Sequence, residues 1–114
     1  MSQPSVSIGP YVVGEKPVPL TYAFQDSTGT ALDLTGYTVK FVLRESLSGA
    51  VATYGATLNV PTTTGIAQYV WTGSEFPTPG HYRCRFWAGN TTQRFASVLI
   101  TFDVADSEGP VPSI

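Results

Sequence analysis

The chain has 114 residues, enough for one domain with its own core, and 42% hydrophobic and 12% aromatic residues to fill that core. This apolar content and a net charge of −2 exclude intrinsic disorder, and a pI near 5.1 gives no basic footprint for nucleic acid. No stretch approaches the roughly 18 apolar residues of a membrane span, and the N-terminus lacks the basic and apolar segments of a secretory signal, so folding in the cytoplasm is expected, with no nucleic acid and no membrane as partner.

Short runs of strand-favouring residues alternate with polar ones and are punctuated by turns, which predicts an all-β domain. Residues 1–17 hold Pro4, Gly9, Pro10, Gly14 and Pro17 and read as an extended N-terminal arm able to add an edge strand within 5–13. From 18 to 25, Leu20, Tyr22 and Phe24 share one face, because strand side chains alternate. Asp26-Ser27-Thr28-Gly29 is a turn, and Leu32 and Leu34 flank Asp33 before Thr35-Gly36. Residues 37–45 put Val39, Phe41 and Leu43 on one face and Thr38, Lys40, Val42 and Arg44 on the other.

A weaker strand over 50–60 is broken near Gly55, and residues 66–72 point Ala67, Tyr69 and Trp71 one way. After a Pro- and Gly-rich loop at 75–80, residues 81–87 alternate strictly, with Tyr82, Cys84 and Phe86 inward and His81, Arg83, Arg85 and Trp87 outward. Gly89-Asn90 suits a tight hairpin turn. The return run 92–104 turns Ile100, Phe102 and Val104 inward, but Phe95 is out of phase with them, which predicts a bulge near 96–99. The domain proper is then 18–104, with an extended C-terminal tail at 105–114. About seven short strands with regular turns predict an antiparallel immunoglobulin-like β-sandwich.

Catalysis needs titratable groups gathered in a pocket, and none is predicted. The single histidine, His81, faces outward, while the single cysteine, Cys84, faces inward from the same strand, so they cannot form a nucleophile–base pair. One cysteine allows no internal disulfide and fits a reducing compartment. Asp26 and Asp33 are placed to cap turns, and Asp103, Asp106 and Glu108 fit a solvated tail better than a calcium loop. The chain is therefore read as no enzyme, with no catalytic, cofactor or metal residues.

What remains is surface. With 12% charged residues, about half the usual share, the exterior is weakly guarded against association. Lys40, Arg44, Arg83, Arg85 and Arg94, five of the six basic residues, fall at outward positions. Arg83, Arg85, Trp87 and Arg94 form the candidate partner-binding set, since Arg and Trp are common interface anchors; an ordinary solvated sheet face is the alternative. The proline-rich ends, with few apolar anchors, are a second candidate contact.

Gly14-Glu15-Lys16 before the first strong strand, Asp33-Leu34-Thr35-Gly36 leading to Val39 and Phe41, Gly65 opening the run through Tyr69 and Trp71, and Thr78-Pro79-Gly80-His81-Tyr82 before the next strand occur in a telling order. From Gly14 to Val104 this resembles the N-terminal domain of phage baseplate upper proteins and related immunoglobulin-like domains of tailed-phage virions. The resemblance implies a structural protein of a bacteriophage virion, assembled in the host cytoplasm, that docks onto other virion structural proteins as a homo-oligomer or in repeated copies. With ten residues after Val104 a stand-alone domain is expected, and a head decoration protein, a neck component or a small tail accessory is implied beside a baseplate part. A carbohydrate-binding module stacking sugars on Trp87 and Tyr54, or a cell-surface adhesion domain, is the alternative function.

Overall fold

A computed structural model describes residues 5–46 and 48–112. In chain order the strands are β1 (Ser5–Ser7), β2 (Tyr11–Val12), β3 (Leu20–Ala23), β4 (Thr38–Glu45), β5 (Val51–Gly55), β6 (Thr57–Leu58), β7 (Ile66–Tyr69), β8 (Gly80–Gly89), β9 (Arg94–Ala96) and β10 (Leu99–Ala105), with one 3-10 turn at Thr62–Thr64. They form two sheets. The larger runs β1-β10-β8-β4-β5, with β2 also on β10 and β9 also on β8; the smaller runs β3-β7-β6.

The period-two pattern decides which side chains are buried. Val39, Phe41 and Leu43 of β4, Tyr82, Cys84, Phe86 and Ala88 of β8, and Ile100, Phe102 and Val104 of β10 are all buried. The smaller sheet answers with Ala67 and Tyr69, joined by Phe24, Leu34, Trp71 and Phe76 from the connections. Phe41 and Tyr69 stack across the interior with ring centroids 4.4 Å apart, so a single core holds both sheets together. Aromatic pairs of this kind contribute about 0.5–1.5 kcal/mol beyond their burial.

Pairing is not antiparallel throughout. β1 and β2 both run parallel to β10, with Ser5 beside Leu99 and Tyr11 beside Val104. Alternation reveals which face a residue takes but not the direction of its neighbour. These strands come from opposite ends of the chain, so no hairpin dictates that direction. The arm is also better anchored than its composition suggests. Tyr11 stacks on Phe76 at 5.7 Å and meets Trp71 and Phe102 edge-on or tilted, so the domain itself holds this segment. Residues 1–4 and 113–114 of the two ends lie outside the described residues.

The weak strand over 50–60 breaks where the chain changes sheets. β5 belongs to the larger sheet and β6 to the smaller, and between them the Ala56 amide still donates to Val39 O at 3.2 Å. The bulge is present. Ala96 faces Trp87 and Ile100 faces Cys84, so the return chain takes four steps where β8 takes three. Buried Ser97 sits at the extra residue, its hydroxyl accepting from the Phe86 amide at 2.9 Å and donating to Val98 O. At the entry to β8, the Tyr82 hydroxyl donates to Thr78 O at 2.7 Å and locks the corner onto the strand it opens. The turn after β8 is longer than a two-residue hairpin: Asn90 Oδ1 accepts from the amides of Thr92 and Gln93.

Candidate functional site

The outward face of the larger sheet collects the cations. Arg83, Arg85 and Trp87 alternate along β8, Lys40 and Arg44 along β4, and Arg94 on β9 shares their side of the sheet. Cross-strand register sets Lys40 beside Trp87, Val42 beside Arg85 and Arg44 directly beside Arg83. Like charges placed opposite one another destabilise a sheet. Among the described residues no carboxylate relieves them, and the sole ion-pair contact is His81 Nδ1 to Asp103 Oδ1 at 2.7 Å. Asp103 is the one acid at an outward position of β10, and His81 engages it.

Arg83 and Arg85 are half-buried against their neighbours, and the Nε of each is covered without a hydrogen-bond acceptor among the described residues. Trp87, 37% exposed, lies beside Lys40, and with Thr53, Asn90 and Arg94 they line a shallow concavity. The structure thus brings the sequence-derived set Arg83, Arg85, Trp87 and Arg94 onto one face and adds Lys40 and Arg44 to it. Trp87 and Tyr54 do not come together. Tyr54 lies opposite Phe41 on the inner side of the sheet and packs against the core, so the two rings present no common sugar platform.

The groups weighed for chemistry have other employment. Cys84 is buried, and burial pushes its thiol up to about 12, so it carries almost no thiolate at neutral pH. His81 faces solvent but is held by Asp103. Asp26 accepts from the Thr28 hydroxyl and from the amides of Thr28 and Thr30, and Asp33 from the hydroxyl and amide of Thr35; these bonds, the hydroxyl ones foremost, hold both carboxyls below the ordinary range.

Sequence reading missed Glu75. It is 4% exposed, and its carboxylate accepts from the Tyr69 hydroxyl, the Thr72 amide and hydroxyl, and the Gly73 amide. Burial opposes its ionisation, but these hydrogen bonds outweigh burial and hold its carboxyl below the usual range. A Thr-Gly-Ser-Glu run reads as an exposed loop; the one available signal was that such a run can fold back on a carboxylate two or three residues on. Glu75 fastens the loop before β8 and takes no part in the basic face.

Among the described residues no three His, Cys, Asp or Glu side chains gather as metal ligands, and no helix is long and apolar enough to cross a membrane. No curated protein matches the chain. The family model described as the BppU N-terminal domain matches residues 26–111, from the Asp26 turn past the end of β10. That span takes in β4, β8 and β10, whose alternation builds the core and the basic face alike, and the chain belongs to this family of phage baseplate upper protein N-terminal domains.

Proposed function

We propose that this domain is a non-enzymatic structural part of a tailed-phage virion, and that it docks onto another virion protein through the outward face of its larger sheet. Membership of a baseplate family implies a place in the virion beside other virion proteins. The observation that carries the docking surface is the concentration of five of the chain's six cations on one sheet face with a single, already engaged carboxylate. A domain that only needed solubility would intersperse its charges. The partner surface is acidic, and Trp87 supplies the apolar anchor at the centre of the patch.

An immunoglobulin-like reading of the fold is supported by the strand order, with β10, β8, β4 and β5 in one sheet and β3, β7 and β6 in the other. It is further supported by Tyr82, whose hydroxyl bonds back to the backbone at the start of β8 in the manner of a tyrosine corner. The test is incorporation. A variant with Arg83, Arg85 and Trp87 replaced together by Ser, checked for native melting behaviour, is expected to enter phage particles at a small fraction of the wild-type level. Wild-type incorporation by a folded variant overturns the surface.

A further inference from the structure

The basic face ends at an open sheet edge. Among the described residues β5 pairs with β4 on one side and with no strand on the other. In an antiparallel ladder, hydrogen-bonded and non-hydrogen-bonded pairs alternate. The amide of Glu45 donates to Ala50 O and that of Ala56 to Val39 O, which fixes the phase. Ala52 and Tyr54 therefore turn their backbone groups to β4, while Val51, Thr53 and Gly55 turn theirs outward. No other described residue bonds to those outward groups.

Natural sheet edges are usually blunted by charge, proline, a bulge or shortness. β1 has three residues, β6 has two, and β3 follows Pro17 and Pro19. β5, Val-Ala-Thr-Tyr-Gly, has five residues with no charge and no proline, and Val51 is 58% exposed. Beneath it lies a groove of about 220 Å³ between the inward side of β5 and the loop before β8, lined by the apolar Leu43, Ala52, Tyr54 and Pro77 together with Glu45 and Glu75. That is below the roughly 300–1,000 Å³ of a small-molecule site and suits one or two aliphatic side chains.

We infer that β5 is a strand-addition site, and that its occupant is an extended segment of a partner protein with carboxylates facing outward and small apolar residues facing the groove. The inference rests on the basic-face reading and extends it to the sheet edge. An added strand lies about 5 Å beyond β5 and about 10 Å from the β4 backbone, a gap that an arginine or lysine side chain closes when a carboxylate side chain of the added strand reaches back to meet it. Arg44 already leans that way, its Nη2 3.9 Å from where a Cβ on Gly49 of the β4–β5 turn would sit. Lys40 stands opposite Gly55, whose missing side chain leaves open space for it to cross.

Carboxylates opposite Val51 and Gly55 meet these two cations, which requires acids four residues apart, with apolar residues at the second and fourth positions of the five to enter the groove. A second copy pairing through its own β5 is disfavoured, because it joins two basic faces into one continuous sheet. Main-chain bonds along the edge and pockets for alternate side chains together give affinity and selectivity in this mode of recognition.

The probe is the capped peptide Thr-Glu-Val-Thr-Val-Glu-Thr, titrated into the isotopically labelled full chain, with amide shifts followed by NMR. The expected result is saturable shifts at the Val51, Thr53 and Gly55 amides and slowed hydrogen exchange there. Affinity should fall at least tenfold when Lys replaces both Glu in the peptide. Thr53→Pro should weaken binding at least as much, because it removes one outward donor while leaving the bonds to β4 intact. Val51→Glu serves the same purpose should the proline variant not fold, because it sets a carboxylate opposite one of the peptide's own.

No shift at these amides at millimolar peptide, or equal binding of the Lys peptide, overturns the inference. Shifts confined to Arg85, Trp87 and their neighbours overturn strand addition but leave the basic-face reading standing. Binding at β5 that survives in a variant with Arg83 and Arg85 both changed to Glu, while particle incorporation also survives, sinks that reading and spares this one. Concentration-dependent dimerisation abolished by Thr53→Pro makes a second copy the occupant and overturns the partner strand.

Discussion

Cys84 and Glu75 show how much the same degree of burial can mean for two residues. Cys84 is enclosed by apolar neighbours that offer its thiol no charged partner, so it behaves as a small core side chain. A maleimide or disulfide reagent should label the native protein orders of magnitude more slowly than the denatured one, and equal rates would show that β8 faces the other way. Glu75 stays ionised in the interior because four donors surround its carboxylate. Glu75→Gln turns an amide nitrogen toward one of those donors and should cost about 1–3 kcal/mol, read as a lower midpoint in urea. The pH dependence follows from the depressed folded-state value. The contribution of Glu75 is fully present above the unfolded glutamate value of about 4.3 and is lost as pH falls through the lower folded value. The wild type should therefore lose part of its stability on acidification below that point, and Glu75→Gln should lose less.

At the scale of elements, the faces of β4, β8 and β10 were legible because burial on one side imposes strict alternation, as at Val39, Phe41, Leu43 and Tyr82, Cys84, Phe86. The bulge was legible too, since Phe95 breaks that rhythm. Parallel pairing of β1 and β2 was not, because it depends on contacts between the two ends of the chain, and neither strand is long enough to carry a pattern. The outward placement of Lys40, Arg44, Arg83, Arg85 and Arg94 could be read from alternation, but that Lys40 and Arg44 stand beside Trp87 and Arg83 emerges only from the β4–β8 register. Connections carry their own requirements. Gly65 ends the 3-10 turn at φ 67°, and a Cβ there would lie 2.6 Å from Leu32 O and 2.8 Å from Phe24 O. Gly36, at φ 82°, has nothing within 4 Å of that position. Gly65→Ala should destabilise the domain by about 2–4 kcal/mol, combining left-handed backbone strain with overpacking. Gly36→Ala should cost only the strain, about 1–2 kcal/mol. Equal melting temperatures for the two variants would contradict the packing around Gly65.

Across the whole molecule the charges are segregated. Five cations share one sheet face, and the strands that build it, β4, β8, β9 and β10, carry a single outward acid, Asp103. Such a distribution orients the domain in the field of an acidic partner and speeds encounter. It has a cost within the isolated chain, because Arg44 and Arg83 stand directly opposite one another with no carboxylate between them. A surface kept for binding often carries this kind of local conflict, and removing the conflict trades function for stability. Arg83→Glu replaces a like-charged cross-strand pair by an opposite-charged one. It should raise the stability of the free domain by about 0.2–1 kcal/mol, measured by chemical denaturation at low salt. The gain should shrink in high salt as screening removes the repulsion it relieves. The same variant should enter particles less well than wild type, because the cation offered to the partner is reversed. A free domain destabilised by Arg83→Glu would mean that the arginine stem contributes more by packing than its charge takes away. A stabilised domain that assembles normally would place the partner on some other face.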